Sequence, residues 1–219
     1  SQILVEVLGE RPLCVLTGPS HAEEITRRLP ATVVAASGDL ALARRVQQTF
    51  TTDRFRVYTN VDIIGVELAA ALKNVIAIAC GMMTGAGFAE NTRAALITRG
   101  IDEMKFLAEA LGGRRETVTG LSGAGDLTLT CSSTTSRNMS LGVQLGRGIP
   151  RQNCFDGKPV VVEGEVNAVS VVDLARRINV RMPICEAVHA ILYEGADLNQ
   201  AFSDLWARPI ESEPRALDI

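Results

Sequence analysis

A single lysine interrupts an otherwise apolar stretch, Glu67-Leu-Ala-Ala-Ala-Leu-Lys73-Asn74-Val-Ile-Ala-Ile-Ala-Cys80-Gly-Met-Met83. Leu and Ala favour a helix there, and no proline breaks it. The segment is apolar nearly all the way round, so the helix belongs in an interior rather than on a surface. An ammonium group in that setting loses hydration, and its pKa falls unless a carboxylate or a substrate pairs with it. Such an amine can take and give a proton near neutral pH. The plainer alternative is that Lys73 snorkels to the surface along its own stem. On position alone that is the commoner fate of a lysine.

Composition narrows the classes. Hydrophobic residues make up 47% of the 219 and aromatics 4%. A core built mostly of Ala, Val, Leu and Ile suits closely packed helices and parallel strands, not base stacking. With a net charge of -3 and no block of like charges, nucleic acid is not an expected partner, although local basic residues can still hold a small anion. The cysteines (Cys14, Cys80, Cys131, Cys154 and Cys185) are odd in number and show no CxxC spacing. They read as free thiols of a reducing, cytoplasmic compartment. His21 and His189 are too far apart in sequence to seed a zinc cluster. The apolar run from Val75 to Met83 is nine residues long, too short to span a bilayer, and no signal peptide is expected. The opening Ser1 to Gly9 resembles the tail of a helix ended by glycine and lacks an initiator Met, so the chain is expected to begin inside a longer protein.

Two halves differ in pattern. Leu13–Thr17, Thr32–Ala36 and Phe55–Tyr58 read as buried strands, with helices between them at His21–Arg28 and Leu40–Thr51. That alternation predicts an α/β sheet, partial and parallel for part of its extent, over residues 1–59. From residue 60 to 219 the strand signal is gone, and helices are predicted at 61–84, 88–111, 136–146, 163–178, 183–193 and 198–206. Gly112-Gly113 ends the second of these. The stretches 120–135 and 147–160, rich in Gly, Ser, Thr and Pro, read as loops, the first with one helical turn.

Several short motifs each admit a structural and a functional reading. Gly18-Pro19-Ser20 follows the first strand. Ser20 with Glu23 fits a capping box, while a glycine at a strand's carboxyl end also lets a ligand approach the backbone. Gly85-Ala-Gly87 and Gly123-Ala-Gly125 do not complete a dinucleotide fingerprint, because Glu90 and Thr128 stand at the sixth positions. Asp126 either caps a short helix or points at Lys73. Ser136-Arg137-Asn138 opens a helix, where free N–H groups and a guanidinium can grip a phosphate. Glu163 either complements a helix dipole or offers a carboxylate to a cofactor hydroxyl.

Taken together, GPSHAEE (18–24), GVELAAALKNVIAIACGM (65–82), NTRAALITRG (91–100), GLSGAGDLTLTC (120–131), SRN (136–138) and VVEG (161–164) closely resemble the bacterial NAD(P)-dependent glycerol-3-phosphate dehydrogenase family. The resemblance implies a Rossmann-type nucleotide-binding domain, of which this chain holds the last part, followed by an all-α substrate domain like the C-terminal helical domain of 6-phosphogluconate dehydrogenase. It implies interconversion of sn-glycerol 3-phosphate and dihydroxyacetone phosphate with NAD or NADP, feeding phospholipid synthesis. A homodimer is compatible with it. Carried over by residue, Lys73 becomes the catalytic proton acceptor. Gly18, Ser20, Asp126, Ser136, Arg137 and Asn138 become substrate contacts together with Lys73. Ala22, Arg137, Val161 and Glu163 become cofactor contacts. His21 stands where an apolar residue is expected and receives no role. The chain departs from the family by lacking the opening βαβ unit and its glycine-rich loop, so residues 1–219 alone are expected to be inactive. Two other readings remain open: a related two-domain hydroxy-acid dehydrogenase, and a non-catalytic fragment or assembly module.

Overall fold

The computed structural model describes residues 1–208; the final stretch 209–219, assigned above to the helical part, lies outside the described residues. A first helix, α1 (Gln2–Leu8), precedes a three-stranded sheet of β1 (Val15–Thr17), β2 (Ala31–Ala36) and β3 (Phe55–Asn60), with α2 (Ala22–Thr26) and α3 (Leu40–Phe50) in the connections. β2 lies in the middle, antiparallel to β1 (Val15 beside Ala36) and parallel to β3 (Val33 beside Val57). Its unbroken run Val33-Val34-Ala35-Ala36 is buried throughout, as a strand covered on both faces requires. Val33 and Ala35 pack with Val57 and Val46 of α3. Val34 and Ala36 face the other way, onto Val66, Ile63 and Leu121.

The sheet is parallel for part of its extent, as expected: β2 and β3 run parallel, and β1 is the antiparallel member. Only α2 separates β1 from β2, and it has five residues against the eight expected from His21 to Arg28. Antiparallel pairing needs no long crossover. One consequence is that Gly18, at the carboxyl end of β1, lies at the end where β2 and β3 begin. The rule that ligands gather at the carboxyl ends of parallel strands therefore does not explain its place.

The apolar segment around Lys73 forms α4 (Ile63–Gly85), 23 residues long. By length and composition such a helix could cross a bilayer. Here it is the axis of the helical region, and its residues from Val75 to Met83 are all buried. Around it stand α5 (Glu90–Ala110), α6 (Arg115–Val118), α7 (Asp126–Ser132), α8 (Arg137–Gly146), α9 (Glu163–Arg177), α10 (Pro183–His189) and α11 (Leu198–Trp206). The approach of α8 to α4 is backbone to backbone. Side chains are missing at Gly81 and Gly85 on one helix and at Gly142 and Gly146 on the other, four residues apart in each case. A Cβ at Gly142 would strike the carbonyl of Ile78 and stand 2.8 Å from the Cα of Gly81.

The stretch 120–135 is not the loop predicted from its composition. It forms one π-helical turn (Leu121–Gly125) running directly into α7. Its small residues serve close packing: a Cβ at Gly123 would collide with the carbonyl of Val118. The 147–160 connection contains short 3₁₀ turns broken at Cys154–Asp156, where Phe155 and Asp156 adopt left-handed angles. All five cysteines are free.

Candidate functional site

Where the start of α7 meets α4, Nζ of Lys73 donates to Oδ2 of Asp126 at 2.5 Å. The two side chains are 20% and 4% exposed. Lys73 therefore does not snorkel; its ammonium ends on a carboxylate delivered by the turn that Gly123 makes possible. Asp126 is the first residue of α7, and Gly125 precedes it as the cap position, so its side chain is free for this bond. Burial pushes the Asp126 carboxyl above its ordinary range, while the charge and hydrogen bond of Lys73, then His21, pull it back down. Oγ1 of Thr130, one turn further on, donates to the Asp126 carbonyl at 2.6 Å.

The pair lies in the wall of a cavity of about 380 Å³. On its α8 side, Oγ of Ser136 caps the helix by accepting from the N–H of Met139 at 3.3 Å. Asn138 is fully engaged within the protein. Its Nδ2 donates to Oδ1 of Asn74 at 3.0 Å, and its Oδ1 accepts from the N–H of Gly164 at 2.9 Å. That chain of bonds ties α4, α8 and α9 at the cavity floor. Gly164 has to lack a side chain, since a Cβ would stand 2.7 Å from the Asn138 oxygen. The guanidinium of Arg137 pairs with Glu163 at the start of α9, and both are about half exposed, at 51% and 45%. An exposed pair of this kind contributes little to stability, so an anion entering the cavity can take Arg137 from Glu163.

The remaining wall comes from the turn after β1. Gly18 has φ +145, and a Cβ there would stand 3.0 Å from the Cα of Val33. The expected capping box does not form: Oγ of Ser20 donates back to the Gly18 carbonyl at 2.8 Å, and His21 holds the cap position of α2 without a side-chain bond. With Ser20 turned onto its own loop, the chain passes Gly18, Ser20 and His21 along the cavity.

The structure thus gathers Gly18, Ser20, Lys73, Asp126, Ser136, Arg137, Asn138 and Glu163 around one cavity. Ala22 and Val161 are not part of its lining. Ala22 is exposed on α2, and Val161, 72% exposed, precedes α9. Sequence reasoning missed Ala70, Asn74, Thr130 and His21 in the wall. Ala70 and Asn74 follow from helical spacing around Lys73, and Thr130 stands four residues after Asp126. That last relation is invisible as long as 126–132 is taken for a loop. Among the described residues, no group of three or more His, Cys, Asp and Glu side chains is placed to hold a metal ion.

Two family profiles match this chain. The C-terminal part of NAD-dependent glycerol-3-phosphate dehydrogenase matches residues 62–203, the whole helical wall of the cavity. The chain belongs to the NAD-dependent glycerol-3-phosphate dehydrogenase family. The profile of that family's N-terminal part matches residues 1–43. Relatives named glycerol-3-phosphate dehydrogenase [NAD(P)+] include those of Clostridium tetani, 43% identical over 97% of this chain, and of Geobacter sulfurreducens, 48% identical over 93%. The chain spans 61% of the length of each. A solved glycerol-3-phosphate dehydrogenase from Coxiella burnetii superposes with a TM-score of 0.90 at 41% identity, over 94% of this chain and 64% of that one. The Saccharomyces cerevisiae protein of the same name, at 22% identity and a TM-score of 0.82, shares the fold.

Proposed function

We propose that this chain carries the substrate site of an oxidoreductase that interconverts sn-glycerol 3-phosphate and dihydroxyacetone phosphate with NAD(P)(H), in the supply of glycerol 3-phosphate for phospholipid synthesis. The observation that carries the reading is the Lys73–Asp126 pair at 2.5 Å in the wall of a cavity that also holds the half-exposed guanidinium of Arg137. Moving a hydrogen between a secondary alcohol and a ketone requires a proton relay at the oxygen. A positioned ammonium meets that need, and a cation beside it fixes a phosphorylated substrate.

In reduction, Lys73 donates its proton to the ketone oxygen, and its charge stabilises the developing alkoxide. In oxidation, Lys73 accepts the hydroxyl proton. Asp126, held by α7, aims the lysine. Arg137 exchanges Glu163 for the substrate phosphate, a charge-assisted contact that sets the reacting carbon in register. Ser136 contributes at the same helix start. Asn138, whose side chain is spent on Asn74 and Gly164, supports the site as a brace between helices. Gly18 and Ser20 close the wall opposite.

The donor set at the cavity mouth suits a nicotinamide dinucleotide. Glu163 is a half-exposed carboxylate able to accept from ribose hydroxyls, Arg137 is a cation for phosphate, and Val161 and Ala22 are exposed apolar surface close by in sequence. These four would hold the cofactor, which supplies hydride transfer when bound. The reading divides the chain between residues 59 and 60, at the last residue of β3 and ahead of α4, into the end of a nucleotide-binding domain and a substrate domain. It also places the enzyme in the cytoplasm without membrane insertion, a view supported by five free thiols and by the enclosure of α4.

A substrate panel tests the reading on the full-length protein. Dihydroxyacetone phosphate is expected to support NAD(P)H oxidation, whereas phosphate-free hydroxyketones and hydroxy acids are not. Arg137→Ala is expected to raise the Michaelis constant for the phosphorylated substrate at least ~10-fold, the scale of one charge-assisted hydrogen-bond pair. Equal turnover of a phosphate-free hydroxy acid, or an unchanged Michaelis constant in the variant, would refute it.

A further inference from the structure

His21 stands in the wall of the same cavity, at the cap position of α2. Its Nε2 is buried and has no hydrogen-bond partner among the described residues. Buried polar groups in folded proteins are nearly always paired, and an exception in a site wall calls for a function. Asp126 lines the same cavity as His21, and its carboxylate is favoured first by Lys73 and then by His21. The other charged groups of the cavity, Arg137 and Glu163, are engaged with each other. Glu23 and Glu24 occupy the first turn of the helix that His21 opens. Lys73 from α4 and His21 from the start of α2 thus share a cavity wall with one buried carboxylate, and of the two only Lys73 is bonded to it.

A lysine that exchanges a proton with a ligand has to turn toward that ligand. Asp126, 4% exposed, is then left with a deficit of partners at the moment its charge has to be held in place. We propose that His21 is a positioning residue whose Nε2–H takes up the Asp126 carboxylate as Lys73 turns to the ligand. The bond forms without proton transfer, keeps Asp126 ionised, and keeps the carboxylate aimed so that Lys73 can return. This rests on the reading of the cavity as the dehydrogenase substrate site.

Two measurements test it. The first needs no ligand. The chain has two histidines, so His189→Gln leaves His21 as the one imidazole visible by NMR. In a Lys73→Gln background, which vacates Asp126, His21 is expected to hold its proton to a pH higher by about one unit or more than in the same chain with Asp126→Asn added. Equal titration midpoints would overturn the proposal. The second uses the full-length enzyme. His21→Phe is expected to lower kcat ~10-fold with KM nearly unchanged and to move the pH profile of kcat, while His21→Gln, which keeps a donor, restores most of the rate. An unaltered kcat and pH profile in His21→Phe, beside an active parent, would overturn the role of His21 and leave the dehydrogenase reading standing. An inactive parent would count against that reading, and the ring titration would still decide whether His21 reaches Asp126.

Discussion

The sheet region and the helical region are held together by different means. Around α4, one continuous core runs from Ala69 through Met104, Leu141 and Ile184 to Phe202. The sheet has only two small patches, Val33–Ala35–Val57 on one face and Val34–Ala36–Val66 on the other. It leaves Leu16 and Tyr58 substantially exposed. Side chains locked by packing hold a precise geometry, and the lining of the cavity is distributed accordingly. The Lys73–Asp126 pair and Arg137 stand on the helical core. The sheet lends one short turn, Gly18 to His21, carrying backbone and an imidazole. A closely packed half thus holds the Lys73–Asp126 pair and Arg137, and a lightly packed half lines the cavity opposite.

The comparison is broken most severely at the α4–α8 crossing. Gly142→Ala forces a Cβ into the Ile78 carbonyl and against Gly81 and Met82. Overpacking of backbone against backbone is expected to cost about 3 kcal/mol or more. Chemical denaturation should show the helical region losing stability, with α8 and hence Arg137 displaced. A cost under ~1 kcal/mol would mean that the two helices are free to separate.

A second test is internal to the helical core. Glu103 of α5 is fully buried and accepts from the N–H groups of Ile184 at 2.5 Å and Cys185 at 3.3 Å, capping α10 from another helix. Burial pushes its carboxyl up from 4.5 to about 7, against the pull of those two N–H groups. A carboxyl raised on folding binds its proton more tightly in the folded state. Its contribution is complete below the unfolded value and is lost as pH rises from about 4.5 to about 7. Over that window the folded state should lose roughly 3 kcal/mol relative to Glu103→Gln, which cannot ionise. Urea unfolding of both proteins at pH 5 and pH 8 measures the difference. Parallel pH dependences would contradict the assignment.

The seam between the regions gives a smaller effect. Asp62 caps α4 through Gly65 at 2.9 Å and holds the N–H of Arg114 at 2.8 Å, while its own N–H donates to Asn60 at the end of β3. Asp62→Ala is expected to cost about 1–2 kcal/mol. Because the bond network joins sheet to helices, hydrogen exchange should rise in β2 and β3 before it rises in α4. Uniform acceleration would show that the two regions open as one unit.

Sequence patterns disclosed the helical half well, because α4 is a long, proline-free apolar run and α8, α9 and α11 carry apolar residues at helical spacing. They disclosed the segment 121–132 poorly. Gly123 and Gly125 look like loop formers, yet Gly123 is there to let a backbone touch Val118. The direction of β1 was hidden for a related reason. Alternating strands and helices predict parallel pairing for part of the sheet without saying which strands, and a helix as short as α2 does not form a crossover. Lys73, Asp126 and Arg137 were legible from the segments that carry them. The bond between Arg137 and Glu163 was not, since nothing in the spacing of 137 and 163 places their helix starts side by side. The place of His21 in the wall was not legible either, since its buried, unpaired Nε2 is a matter of packing and not of sequence pattern.

The central claim is that a lysine locked on a buried carboxylate moves the proton. Its most direct test is the turnover of dihydroxyacetone phosphate by the full-length protein with Lys73→Ala, after circular dichroism has established that the helices persist. A fall in kcat of at least ~100-fold, the usual scale for a general acid–base group, is predicted. Turnover close to that of the parent protein would contradict the account.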